Sequence, residues 1–377
     1  MKRFFKYLII LIAIIFLFHF SFLGYNFFNS KLIIHEWGTF SSTVDKKGKQ
    51  FSSQRFEGRT SLPDQVYTLG KASFNWKNTI YSGYDEGNEN KESGAYRHIH
   101  LLGDTIRMET PVLYFYSEKE MDIAVDVKFP NGSIGEWYPN RKNGEKISED
   151  YLETGDIHKK VKSKKILDLK NYTGFVSWKA KILEPKKKSN FSINTNSTEW
   201  TAPRETESNQ IQIGNEIEKY IFYRGIANFE NPISVKLEST KKEKFLNLKN
   251  LLNEKIPFVF VFNHDYKTKK KLIYWSGSLD ENQNYKLNLF EKSTTEFSET
   301  HIIEFKKALE KAGLYPKEAE AMMKTWKESY FEKQFGLTVF YLVPENKLNQ
   351  LLPIQFSVKP DEFKRAFIGR IKINNSF

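Results

Sequence analysis

From residue 32 to about residue 289, apolar and polar positions alternate in short runs, the period-two spacing of side chains along a β-strand. In residues 121–129 (MDIAVDVKF), Ile123, Val125, Val127 and Phe129 share one face, while Asp122, Asp126 and Lys128 lie on the other. That is the pattern of a strand with one wet side. Pro130, Asn131 and Gly132 separate this run from residues 133–138 (SIGEWY). Asn-Gly there predicts a hairpin, because both residues accept positive φ. Further strands are predicted at 111–116 (PVLYFY), 174–183, 219–223, 232–237, 257–262, 272–275 and 285–289. Residues 41–57, 84–94 and 186–206 are polar and aperiodic and read as long loops.

The period lengthens after residue 298. Ser298 can cap a helix running to Ala312, with Gly313 just beyond its end. Pro316 opens a second helix that stops before Gly336. Its residues Ala319, Met322, Met323, Trp326 and Tyr330 form one apolar stripe, as core packing requires. Strands return at 337–343 and 367–373, so the helical block 298–336 is expected to pack on the same fold. The predicted class is mainly β: β-sandwich-like antiparallel sheets with a packed pair of helices near the C-terminus.

Residues 7–18 (YLIILIAIIFLF) break both patterns. Lys2, Arg3 and Lys6 precede this unbroken apolar run, which resumes after His19 and reaches Gly24. The stretch is close to the ~20 residues that cross a bilayer as a helix. Basic residues before it place the N-terminus in the cytoplasm and the rest of the chain outside. The residues that follow, Tyr25 to Ser30, show no small-x-small cleavage pattern. The expectation is an uncleaved signal-anchor over residues 1–30 and an exported domain over 31–377. This makes a single-pass membrane protein whose main domain is periplasmic or extracellular.

Composition supports a folded domain. The chain has 377 residues with 32 Phe, 19 Tyr and 7 Trp, an aromatic content that a disordered chain lacks. It has no cysteine, which excludes disulfides, thiolate metal sites and cysteine nucleophiles. The formal charge is +12, with 48 Lys but only ten Arg. Lysines cluster at 158–165, 186–188, 241–244 and 267–271. Such blocks are usually solvated loops and strand edges, and otherwise footprints for an anionic lipid or polymer. No nucleic-acid-binding signature accompanies them, and no nucleic acid is expected as a partner.

Two scarce residue types mark candidate chemistry. His98 and His100 would project from one face of a strand and could reach one metal. His35 or Glu36, in the block HEWGTF, and Glu109 could complete such a site. The metal candidates are therefore His35, Glu36, His98 and His100. Where Lys dominates, the remaining Arg are more often needed for guanidinium geometry. Arg97, Arg107, Arg204 and Arg224 each sit in a dense motif. Arg107, Glu109, Arg204 and Arg224 are the candidates for binding an anionic group. Pairing of these arginines with Glu36, Glu109 or Glu205 is the structural alternative, and the commoner one. Trp37, Trp76, Trp137, Tyr138, Trp178 and Trp200 could build a sugar-stacking platform or fill a core. No nucleophile elbow, phosphate loop, dinucleotide fingerprint or His-Glu-x-x-His helix occurs.

The blocks HEWGTF (35–40), RMETPVLYFY (107–116), EWYP (136–139), KYIFYRG (219–225), GLYPKEAEAMMKTWKESYF (313–331) and VFYLVP (339–344) resemble an uncharacterised family of exported bacterial proteins. The likeness runs in order from about residue 34 to 373. A second group, with a Pro-Val-Ile-Tyr-Leu-Tyr-Pro start, is similar at 111–116. The resemblance implies export and one unit of common architecture, and it transfers no catalytic residue. The expectation is a membrane-anchored bacterial cell-envelope protein that binds an envelope glycan or a protein partner. The alternative is a metal-assisted hydrolase acting on an anionic or glycan substrate. No cofactor is established; a divalent metal at the histidines is the one the residues suggest.

Overall fold

The computed structural model describes residues 31–51, 63, 65–68, 96–99, 101–102, 105–146, 152–155, 167–185, 187, 189–240, 243–289 and 294–374. The predicted anchor, the loop at 84–94 and His100 lie outside the described residues. Among the described residues no helix is long and apolar enough to cross a membrane. The chain is mainly β with few helices. Its principal strands are β1 (Leu32–Val44), β2 (Ile106–Ser117), β3 (Met121–Pro130), β4 (Gly132–Tyr138), β5 (Thr173–Ile182), β6 (Ile221–Ala227), β7 (Ile233–Ser239), β8 (Lys244–Asn250), β9 (Ile256–His264), β10 (Lys271–Leu279), β11 (Asn284–Asn288), β12 (Gly336–Leu342) and β13 (Glu362–Ile373).

The main sheet runs β10-β9-β12-β13-β1-β2-β6-β4. Its neighbours are antiparallel except β13 and β1, which pair in parallel from Ile33↔Glu362 to Val44↔Ile373. The two ends of the described chain thus close the centre of the sheet, and Asp361 accepts the Leu32 amide at 2.7 Å. β3 and β5 form a second antiparallel ladder, and β7, β8 and β11 a separate three-stranded sheet. The turn predicted at Asn131 joins β3 to β4, with Asn131 at φ 56°, but the two strands do not form the expected hairpin: β3 pairs with β5 and β4 with β6.

Both faces of the main sheet are covered. One apolar core joins Ile34, Leu113, Phe115 and Phe367 to Val125 and Trp178 of the β3–β5 ladder and to Leu246 and Leu248 of β8. A second core joins Trp37, Val112, Tyr114, Phe260 and Phe340 to the helices α2 (Glu299–Lys311) and α3 (Pro316–Lys327). The predicted helix stripe of Ala319, Met322, Met323, Trp326 and Tyr330 is buried in this second core. Double burial leaves β1 and β2 buried along almost their whole length, their polar residues included, so neither shows the clean alternation of a strand with one wet face.

Three parts of the fold depart from the sequence reading. Residues 41–44, expected in a loop, continue β1, because β13 goes on pairing with it to Val44 and β2 as far as Ser41. Residues 198–204, expected in a loop, form the short helix α1 (Thr198–Thr201) and a turn of 3-10 helix, seated by buried Trp200. β8 and the helix α4 (Glu345–Leu351) were not expected; each has a mixed polar pattern and is fixed by its packing partners.

Candidate anion-recognition site

A single extra residue in β2 builds this site. Trp37 faces Val112 and Thr39 faces Glu109, so two steps along β1 match three along β2. Thr110, at φ 48°, absorbs the difference. A β-branched residue at positive φ is uncommon and strained. The bulge reverses the parity of β2 and puts Arg107 and Glu109 on the same face as Val112 and Tyr114, under the helices.

Arg370 of β13, Ser41 of β1 and Arg107 of β2 then form one cross-strand row. Both guanidinium groups approach Glu109: Arg107 Nη1 lies 3.5 Å from Oε1 and Arg370 Nη2 lies 3.5 Å from Oε2. Ser41 Oγ donates to Glu109 Oε2 at 2.8 Å. From β6, Arg224 Nη2 donates to Thr110 Oγ1 at 3.2 Å, and Nη1 lies 3.3 Å from Glu136 Oε2. The four charged side chains Arg107, Glu109, Arg224 and Arg370 retain 8–12% exposure. Tyr330 borders the group, hydrogen-bonded to Thr39 and with its ring 5.5 Å from the Arg370 guanidinium. It lies on a turn of π-helix, Glu328–Glu332, a rare element often found at functional sites.

The electrostatics follow from burial and like charge. Burial pulls the Arg107 guanidinium down to about 10, and its neighbours Arg370 and Arg224 push it the same way against Glu109. Burial alone would raise Glu109, but Arg370, Arg107, the Ser41 hydroxyl and Arg224 together hold it below the usual carboxylate range. Glu136 is raised, because its burial outweighs Arg224. A cleft of about 390 Å³ opens between α1 and the end of α3, lined by Thr198, Glu199, Lys324, Lys327 and Glu328 and by none of the four charged side chains of the group. Glu199 is raised by burial and lowered by Arg224, so the field of the arginine group extends to the cleft wall.

Of the predicted metal residues, His35 and Glu36 do not share a site. His35 and Glu36 are neighbours on β1 and point to opposite faces of the sheet. His35 lies under α3, where Nδ1 is 2.7 Å from Glu318 Oε2 and the ring packs 4.5 Å from Tyr315. Its Nε2 is buried without a hydrogen-bond partner, 3.8 Å from Glu362 Oε1. Glu36 instead accepts from Arg365 Nε at 2.6 Å and from the Tyr223 hydroxyl. His98 lies on the short strand Tyr96–Ile99, opposite Glu153. Among the described residues no group of three His, Asp or Glu is placed to hold a metal ion.

No family model matches the chain, nor does any curated protein sequence. Similar solved structures include the Fcho1 Mu homology domain from Danio rerio with bound Eps15 peptide, with a TM-score of 0.31 and 6% identity over 91% of this chain and 97% of that one. Another is the yeast delta-COP-I mu-homology domain complexed with a Dsl1 WxWxV peptide, with a TM-score of 0.29 and 8% identity over 92% and 97%. Likeness at this level assigns neither fold nor function.

Of the predicted ligand-binding residues, Arg107, Glu109 and Arg224 come together and Arg204 stands apart. Arg204 forms a bidentate pair with Glu218, at 3.0 and 2.6 Å, and donates to the Ile193 carbonyl at 2.9 Å. Trp200 Nε1 donates to the same carboxylate at 3.3 Å, so Arg204 fastens α1 to the sheet. Arg370 and Tyr330 were missed. The scarcity of Arg applied to Arg370 as well, but no dense motif surrounds it. Tyr330 was read only as core. The predicted aromatic platform is absent where described: Trp37, Trp137, Tyr138, Trp178 and Trp200 are all core residues.

Proposed function

We propose that this protein is a membrane-anchored binding protein of the bacterial cell envelope. Its β-sandwich-like exported domain recognises an anionic group, a carboxylate or phosphate, on an envelope glycan or protein partner. One observation carries the reading: at a strained bulge, Arg107 and Arg370 from two strands gather on the Glu109 carboxylate, and Arg224 from a third strand, paired with Glu136, adds to the same field. Arg370 and Arg224 both disfavour the charge on Arg107, so an added anion relieves repulsion that Arg107 otherwise bears. A planar guanidinium matches such anions bidentately. Membrane attachment rests on Lys2, Arg3 and Lys6 ahead of the apolar residues 7–24. The test is thermal unfolding of the full chain in neutral detergent with inorganic phosphate. The reading expects an upward shift that saturates and that Arg224→Gln and Arg370→Gln diminish. A shift of equal size in both variants refutes it.

A second reading, a metal-assisted hydrolase, is supported by His35. A carboxylate on Nδ1 orients the ring and leaves Nε2 without a hydrogen-bond partner, an arrangement common behind metal-ligating histidines. Elemental analysis of the purified full chain, with His98→Ala and His35→Ala alongside, tests it. A stoichiometric divalent metal lost in either variant supports this reading, and a metal-free wild type removes it.

A further inference from the structure

The end of the main sheet opposite the point where residues 1–30 join carries two turns of the same design, the first of them four residues beyond Ser41 of the arginine group. Asp45 opens one and Asp265 the other. Asp45 Oδ1 accepts the amides of Lys47 and Lys49 at 2.8 and 2.9 Å. Asp265 Oδ1 accepts the amides of Lys267 and Thr268 at 3.0 and 2.7 Å, and the Thr268 hydroxyl at 2.9 Å. In each turn the only acidic side chain is occupied by its own backbone.

Among the described residues the lysines of these turns reach no carboxylate outside their own turn. Among the described residues none of Lys46, Lys47, Lys49, Lys267, Lys269 and Lys270 forms an ion pair. Lys271, just beyond the second turn, pairs with Glu332, and elsewhere on the surface Lys181, Lys255, Lys286, Lys317, Lys324 and Lys327 each reach a Glu or Asp. The two turns also sit side by side. Val44 pairs with Ile373, Ile373 with Leu337 and Leu337 with Asn263, which sets them three strand spacings, about 14 Å, apart.

An aromatic surface accompanies the charge. Tyr266 is 69% exposed, the most exposed large apolar side chain among the described residues. Its ring meets Phe335 edge-on at 5.2 Å, and Lys269 Nζ lies 4.2 Å from it and 4.3 Å from the Phe335 ring.

We infer that this end of the domain binds an anionic polysaccharide, with sugar rings against Tyr266 and acidic groups along the two lysine turns. Lysines are point charges on flexible stems and suit a repeating polyanion better than one fixed small anion. The anchoring bilayer is a poor occupant. β1 runs from Leu32 to Val44, so the lysine turns stand about 40 Å beyond the residue that follows the proposed anchor. The inference depends on the envelope reading for the source of its ligand and not on the arginine group.

The test uses the full chain in neutral detergent and immobilised polygalacturonate as probe, with neutral dextran and phosphatidylglycerol vesicles as controls. Wild type is expected to bind polygalacturonate, to lose it as salt rises and to ignore dextran. The triple variant Lys267→Gln, Lys269→Gln, Lys270→Gln is expected to bind about tenfold more weakly or worse, and Tyr266→Ala to weaken binding too. All four side chains are exposed, so the fold is retained. The triple variant keeps the thermal response to phosphate, which separates this surface from the arginine group. The inference is overturned by wild type that does not bind, by a triple variant that binds as well, or by equal lysine-dependent binding to the vesicles, which would assign the surface to lipid.

Discussion

Arg107 and Arg370 stand on opposite sides of Ser41, on the two strands that flank β1, and both reach the Glu109 carboxylate at 3.5 Å. The parallel pairing of β1 with β13 brings them together from residues far apart in sequence. The bulge at Thr110 turns Arg107 to the shared face.

Removing the carboxylate leaves like charges facing each other in a mostly buried site. Glu109→Gln is expected to destabilise the fold by about 3–5 kcal/mol, the usual cost of breaking a buried ion pair from one side. Denaturant unfolding at neutral pH measures it.

The same carboxylate shapes the acid limb of stability. Its pKa is held below the ordinary range in the fold, so the stability it confers is present above about pH 4.3, the unfolded value, and is lost as pH falls through the folded value. Unfolding followed from pH 6 downward should show this loss in wild type and less of it in Glu109→Gln.

Glu145 has the opposite dependence. It is 2% exposed, accepts from Ser133 Oγ at 2.9 Å and from the Ile134 amide, and burial raises it to about 7. Its contribution is therefore full below about pH 4.3 and is lost as pH rises toward 7, by about 3 kcal/mol. Glu145→Gln should flatten this part of the pH profile and leave the variant the more stable form at pH 8. A profile unchanged by the substitution contradicts the assignment.

Gly369 precedes Arg370, and a Cβ there would meet the ring of the fully buried Tyr341. Gly369→Ala is expected to cost about 1–3 kcal/mol through overpacking. Thermal unfolding of the variant checks it, and a melting temperature equal to wild type would show that Tyr341 can move.

Much of this fold was legible in local pattern. Val125 and Val127 alternate with charged residues because one face of β3 packs and the other is wet. Ser298 and Gly313 bracket α2 because helix ends need a cap and a residue at positive φ, 106° for Gly313. What was hidden is non-local. Ser41 lies in a polar stretch and becomes strand because β2 and β13 pair on both sides of it. The sequence also grouped His35 with Glu36, yet adjacent strand positions oppose each other and separate them. Arg107, Glu109 and Arg224 were marked by scarcity, while Arg204 carried the same mark and proved to be a structural clamp on Glu218. Scarcity identifies arginines that need their geometry, and only the fold distinguishes a ligand from an internal carboxylate as the reason.

The most direct test of anion recognition is calorimetric titration of the full chain with N-acetylmuramic acid, a carboxylate-bearing envelope sugar, against its neutral counterpart N-acetylglucosamine. Saturable binding of the acidic sugar alone, weakened about tenfold or more by both Arg224→Gln and Arg224→Lys, is the predicted result, since bidentate geometry as well as charge is required. Equal binding of both sugars, or no response to either, would contradict it.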